Sequence, residues 1–188
     1  KKVLEGGKRV SYGARAITKG GLQSLPKMTF PGGLLIGCDA GTLNFAKIKG
    51  SHTAMKSGMI AADTVHEAIT GGSKTGEELT EYTTAFENSW LYSELKQQRN
   101  FGPAQHKWGN LLGSAYSFID INIFNGSLPW TFKDSKPDYA QMKLAADCKP
   151  LDYPKPDGNL TFDRLSSVFL SNTNHEEDQP CHLTLKDD

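Results

Sequence analysis

The sequence has no excess of charge of either sign: 21 Lys and Arg balance 21 Asp and Glu among 188 residues. That removes the electrostatic footprint of a nucleic-acid-binding surface. Its three cysteines, Cys38, Cys148 and Cys181, are far apart, and no Cys-x-x-Cys pair occurs. Neither a disulfide framework nor a complete metal or iron–sulfur site is expected from that spacing, so they read as three separate thiols in a reducing compartment. No uncharged run reaches the roughly 18 to 20 apolar residues that span a bilayer. No side chain stands out as a catalytic acid, base or nucleophile, and no internal repeat is visible. Lys1-Lys-Val-Leu-Glu-Gly-Gly7 carries no initiator methionine, signal peptide or transit segment. The expectation is an internal segment of something longer.

What is present is globular in character: 37% of residues are hydrophobic and 22% charged, too rich in apolar side chains for a disordered chain. Glycine clusters in the first third. Residues 1–30 alternate short apolar pieces with glycine, which predicts short strands and turns crossing between sheets. Leu34-Leu35-Ile36 is a short apolar run bounded by glycines, as expected of a buried strand. Residues 51–70 predict a helix with Ala54, Gly58, Ala61, Ala62, Val65 and Ile69 on one face, ended by Gly71-Gly72. A second helix is expected over Thr75–Gln98. Its buried stripe is Leu79, Tyr82, Phe86 and Trp90, with Glu77 and Glu78 in its first turn.

Composition shifts after Phe101-Gly-Pro103. Two uncharged runs follow, Gly109–Ile119 and Ile121–Phe132, parted only by Asp120. Trp108 and Trp130 flank them, with Lys107 and Lys133 alongside, which is what an interfacial segment needs. An ordinary buried helix pair is the other reading. Residues 134–188 are rich in proline and turns, with one short helix expected within Thr161–Leu170.

The chemistry-bearing stretch is Gly33-Leu-Leu-Ile-Gly-Cys-Asp-Ala-Gly41, then Gly50-Ser-His-Thr-Ala-Met-Lys-Ser-Gly58. It reads as strand, glycine-rich turn and helix. Gly37 and Gly41 allow backbone to approach a ligand closely, and Asp39 can accept a hydroxyl from a ribityl or ribose chain. The same turn also reads as a tight connection with Asp39 as a cap. Gly50 opens the helix, with Ser51 or Thr53 expected to cap it, and about half a positive charge gathers there. That end would favour the reduced, anionic edge of a flavin. His52 can add a donor, or serve as a surface or capping histidine.

Together these pieces resemble the second FAD-binding segment of the two-dinucleotide-fold flavoproteins, the superfamily that includes geranylgeranyl reductases. Cys38 stands where that superfamily has Asp, and Ile48 replaces the first glycine of its Gly-x-Gly. A narrower match lies in Glu5-Gly-Gly-Lys-Arg9, Tyr12-Gly-Ala-Arg-Ala16, Pro31-Gly-Gly-Leu-Leu-Ile-Gly-Cys38, Lys47-Ile-Lys-Gly50, Tyr153-Pro-Lys-Pro-Asp-Gly158, Asn172-Thr-Asn-His-Glu176 and Leu183-Thr-Leu-Lys-Asp-Asp188. These resemble the electron transfer flavoprotein–ubiquinone oxidoreductase family over nearly the whole chain.

The resemblance implies a membrane-associated oxidoreductase that passes electrons from reduced electron transfer flavoprotein to ubiquinone. It implies FAD and one 4Fe-4S cluster, and a monotopic seat on the bacterial cytoplasmic membrane or the matrix side of the mitochondrial inner membrane. Fold class is expected to be α/β, or α+β as a fragment. Residues 1–72 would complete the FAD domain, 73–133 the quinone and membrane-contact region, and 134–188 the start of the cluster domain. FAD contacts fall on Gly37, Cys38, Asp39, Gly41, Gly50, Ser51, His52 and Thr53. Membrane or quinone contacts fall on Trp108, Leu111, Leu112, Tyr116 and Phe118, then on Ile119, Ile121, Ile123, Phe124 and Trp130. The family's N-terminal Gly-x-Gly-x-x-Gly and its four cluster cysteines have no counterpart here, so no metal ligand is assigned. A geranylgeranyl-reductase-like FAD enzyme, or a fragment inactive by itself, are the alternatives.

Overall fold

Phe30-Pro-Gly-Gly33 makes a tight turn, with proline supplying the early φ and Gly32 the positive one (79°). It joins β1 (Thr29–Phe30) to β2 (Gly33–Leu34), antiparallel, with Thr29 opposite Leu34 and Phe30 opposite Gly33. The computed structural model describes residues 2–14, 16–134, 136–137, 140 and 142–180. Cys181, Arg15 and the Leu183–Asp188 motif lie outside the described residues. The chain divides into two units, Lys1–Arg15 with Lys143–Asp188, and Ala16–Met142.

In the larger unit, helix follows helix: α1 (Gly37–Ala40), α2 (Ser51–Thr70), α3 (Glu81–Glu87), α4 (Trp90–Gln97) and α5 (Phe101–Phe118). Among the described residues the only sheet is the two-stranded hairpin, so the structure is mixed but mostly helical. The expected strand at Leu34–Ile36 shrinks to β2, and Ile36 is exposed. The run is too short to cross a sheet, and Gly37 turns the chain into α1.

The core gathers Met28, Ala40, Ile60, Tyr82, Phe86, Leu91 and Leu95. The single helix expected over 75–98 is two helices. Ser89 breaks it and caps α4, its Oγ accepting from the Tyr92 N–H (3.3 Å). The break rotates the second half, so Leu91 and Leu95 are buried while Trp90 is exposed. Glu77 and Glu78 precede α3 instead of opening it. Glu78 ties down the hairpin, accepting from Thr29 Oγ1 (2.6 Å) and pairing with Lys27 (2.7 Å).

Helix α2 spans the expected residues but turns another face inward. Thr53, Ser57, Ile60 and Thr64 are buried, whereas Ala62, Val65 and Ile69 are exposed. The buried hydroxyls donate to the helix's own carbonyls or to its N-cap: Thr53 to Gly50, Ser57 to Ala54 and Thr64 to Ile60, at 2.7–2.9 Å. Each polar atom is thereby satisfied, and the residues pack like small apolar ones.

Helix α5 is broken at Gly109 (φ 70°, ψ −177°), a conformation open to glycine. Its second arm returns along the first. A Cβ on Gly113 would lie 2.8 Å from the Ala104 carbonyl oxygen, and Gln105 Nε2 donates to Ser114 Oγ (3.2 Å). The chain continues into a π-helical turn, Ile119–Ile123.

In the smaller unit, Asp157 Oδ1 accepts from the amides of Asn159, Leu160 and Thr161. These bonds hold its carboxyl far below the usual carboxylate range. Arg9 lies over the Phe162 ring (4.2 Å) and donates to the Leu160 carbonyl (3.3 Å). Helix α6 (Arg164–Leu170) is capped by Asp163, which accepts from Ser166 N (2.7 Å).

Candidate functional site

The starts of α1 and α2 meet where the backbone is barest. The Gly37 N–H donates to Ser57 Oγ (2.8 Å), locking one helix to the other. Gly37 (φ 61°) and Gly41 (φ 91°) bracket α1 in conformations that other residues rarely adopt. Gly50 is the N-cap of α2 and provides no side-chain bond. Neither Ser51 nor Thr53 caps the helix, contrary to expectation, because the Thr53 hydroxyl donates backwards to the Gly50 carbonyl. Among the described residues no acceptor meets the amides of Ser51, His52 or Thr53. The positive end of this 20-residue helix thus has no partner among the described residues. Cys38 is a half-buried free thiol and Asp39 is exposed.

His52 is held from the side. Trp90 and Glu94, one turn apart on α4, grip its imidazole: the rings stack at 5.9 Å and 5°, and Nε2 lies 2.8 Å from Glu94 Oε1. Asn44 Nδ2 donates to the same oxygen, and Lys47 Nζ lies 3.7 Å away. Burial pushes the Glu94 carboxyl up. The hydrogen bonds from Asn44 and His52, with the Lys47 charge, outweigh that, and the carboxyl sits below its ordinary value. Sequence reasoning did not find Glu94 or Asn44. The available signal was the Trp90/Glu94 pair at helical spacing, which becomes readable only once Ser89 is taken as a cap.

The second place of interest is the α5 hairpin. Ala104, Gly113, Ser117 and Asp120 line its buried side. Leu111 (85% exposed), Leu112 (63%), Phe118 (63%) and Ile123 (65%) line its outside, with Ile119, Phe124, Trp108 and Trp130 also exposed. Tyr116 and Ile121 are half-buried. Tyr116 joins Trp108 and Phe132 in a cluster of rings 5.1–5.2 Å apart, and its hydroxyl accepts from Trp130 Nε1 (2.8 Å). Beneath it Asn100 donates to Asp120 Oδ2 (3.1 Å) and to the Trp130 carbonyl (3.2 Å). Arg99 clasps the returning loop through the carbonyls of Gly126, Leu128 and Trp130 and the Thr131 hydroxyl. Asn100, Arg99 and Asp120 were also missed, since their partners lie 20 to 32 residues away.

Among the described residues no helix is long and apolar enough to cross a membrane. No group of three His, Cys, Asp or Glu could hold a metal ion there. Cys148 is an exposed free thiol.

Residues 158–188 match the family model described as electron transfer flavoprotein-ubiquinone oxidoreductase, 4Fe-4S. The whole chain is 67% identical, over 187 residues, to the electron transfer flavoprotein-ubiquinone oxidoreductase of Pseudomonas aeruginosa, covering 34% of that protein. It is 58% identical to the probable enzyme of that name from Acinetobacter baylyi (all of this chain, 35% of the relative). It is 55% identical to the mitochondrial one of Sus scrofa (all of this chain, 31% of the relative). The chain thus spans about a third of the length of the curated relatives it matches. That identity is sustained from end to end, so the whole chain is similar to about a third of the electron transfer flavoprotein–ubiquinone oxidoreductases it matches.

Proposed function

We propose that this chain is the part of an FAD-dependent oxidoreductase that lies under the flavin, meets the membrane and leads into the cluster domain. The parent protein would take electrons from reduced electron transfer flavoprotein and pass them to ubiquinone. The observation that carries this reading is the 67% identity over the full chain to a relative of that name. The 4Fe-4S family match over 158–188 favours it over a geranylgeranyl-reductase-like enzyme without a cluster segment.

Residues 1–72 would complete the FAD-binding part, 73–133 the quinone and membrane contact, and 134–188 the approach to the cluster. The three amides without an acceptor at Ser51, His52 and Thr53 fit an anionic or electron-rich edge of a flavin. FAD, when bound, supplies the exchange between two-electron and one-electron chemistry. Gly37, Cys38, Asp39 and Gly41 would line one side of it and Gly50, Ser51, His52 and Thr53 the other. Glu94 holds His52 and the loop carrying Asn44 and Lys47 in one position, so the helix start is preorganised. The outer face of the α5 hairpin would rest in the bilayer interface as a monotopic contact. Its apolar side chains already face outward, and within it Asn100 donates to one oxygen of the buried Asp120 carboxylate.

The test is Gly50→Asp in the full-length protein. A Cβ there would stand 2.9 Å from Leu43 Cδ1, and a carboxylate would oppose the helix dipole. FAD content is expected to fall, or the flavin midpoint potential to drop. Full FAD occupancy with an unchanged potential would overturn the placement of this helix end.

A further inference from the structure

Beside the ring cluster of the α5 hairpin lies an open cavity of about 580 Å³, lined by His106, Lys107, Phe132, Lys133, Asp134 and Lys136 among others. Its charge is lopsided. Among its described lining residues the Lys107 and Lys133 ammonium groups meet one acid, Asp134, which is already engaged by His106 Nδ1 (2.9 Å). The Lys107 ammonium lies 5.4 Å from both the Trp108 and the Phe132 ring centres. An adjoining cavity of about 830 Å³ shares His106, Lys133 and Asp134 and adds Lys19.

We infer that this basic cavity receives the phosphate of an anionic phospholipid, so that the apolar face of α5 seats preferentially on negatively charged bilayer. The inference rests on the membrane contact proposed above and names the lipid chemistry it selects. Two media must be matched side by side. The aromatic rings and lysines suit the depth at which headgroup phosphates lie. The exposed Leu111 and Leu112, on the arm beyond the Gly109 break, suit the hydrocarbon. An acidic protein surface would satisfy the lysines and leave the exposed leucines in water, so the lipid is the better fit to both halves. Lysines at a bilayer surface gain from the negative leaflet and lose that gain in salt.

The experiment is vesicle flotation of the full-length holoprotein. One vesicle is pure phosphatidylcholine; the other carries about 30% phosphatidylglycerol. Wild type is expected to favour the anionic vesicle, with each lysine contributing roughly fivefold. The preference should collapse at roughly 0.5 M salt. Lys107→Gln with Lys133→Gln should abolish the preference and leave flotation on phosphatidylcholine unchanged, which also shows that the apolar face is intact. Equal flotation of wild type on both vesicles would overturn the inference and leave the membrane contact standing. No flotation on either would remove the membrane contact itself. A double variant that keeps the lipid preference but couples poorly to electron transfer flavoprotein would reassign the lysines to an acidic protein partner.

Discussion

The α3–α4 pair and the α5 hairpin follow one another in the chain and are built with opposite polarity. The first buries Tyr82, Phe86, Leu91 and Leu95 and turns polar residues outward. The second buries Ala104, Gly113, Ser117 and Asp120 and turns Leu111, Leu112, Phe118 and Ile123 outward. Burial of apolar surface is the main account of the first. It does not explain the second, whose inner seam is held by close backbone approach and hydrogen bonds. A hairpin that turns its apolar groups outward fits the bilayer contact proposed above. The difference teaches that hydrophobic residues at helical spacing mark a face, and that the face need not point inward.

Substitutions in the full-length protein can break or sharpen this contrast. Phe86→Ala should have the largest effect, removing a fully buried ring at a cost of about 4 kcal/mol. The same change at Phe118 should cost no more than about 0.5 kcal/mol. Apparent melting temperatures compare the two, and equal losses would erase the distinction between the regions. Next comes Gly113→Ala. The added methyl would meet the Ala104 carbonyl and Gln105 Cα at 2.8 Å, both backbone, so the arms of the hairpin must part. The expected loss is roughly 2 kcal/mol, with protease cleavage near Gly109 as a local readout. No change would mean that the arms are not seated as described.

The smallest effect concerns Glu94. Its carboxyl is held below the ordinary value of 4.5 in the folded chain, so the unfolded chain binds its proton more readily. The stabilisation is therefore in place above the unfolded value and is lost as pH falls through the lower folded one. Wild type should melt above Glu94→Gln at about pH 7, and the gap should close toward about pH 3. A gap that widened in acid would mean the carboxylate is not what His52 and Asn44 hold.

Much of the fold was open to a reader of the sequence, and the misses share a physical cause. Helix α2 was legible from its period and from Gly71-Gly72, and α6 from its apolar stretch. The Ser89 break was not, because Leu79, Tyr82, Phe86 and Trp90 continue at helical spacing across it. The buried face of α2 was misread because a hydroxyl counts as polar in sequence, yet a Ser or Thr bonded to its own helix behaves as a small packing residue. The turn at Gly37–Gly41 was visible through its glycines, whose conformations are local. Glu94 was not, because it meets His52 and Asn44 from 42 and 50 residues away.

By itself, the sequence determined the family resemblance, the extent of α2, the glycine conformations at Gly37, Gly41 and Gly109, and the absence of a long apolar span. These depend on neighbouring residues or on identity summed along the chain. Only the tertiary structure decided which face of each helix is buried, where Trp90 and Glu94 grip His52, and how Arg99, Asn100 and Asp120 fasten the returning loop. Those outcomes are set by partners distant in sequence, and satisfaction of a polar group is a property of the pair that meets.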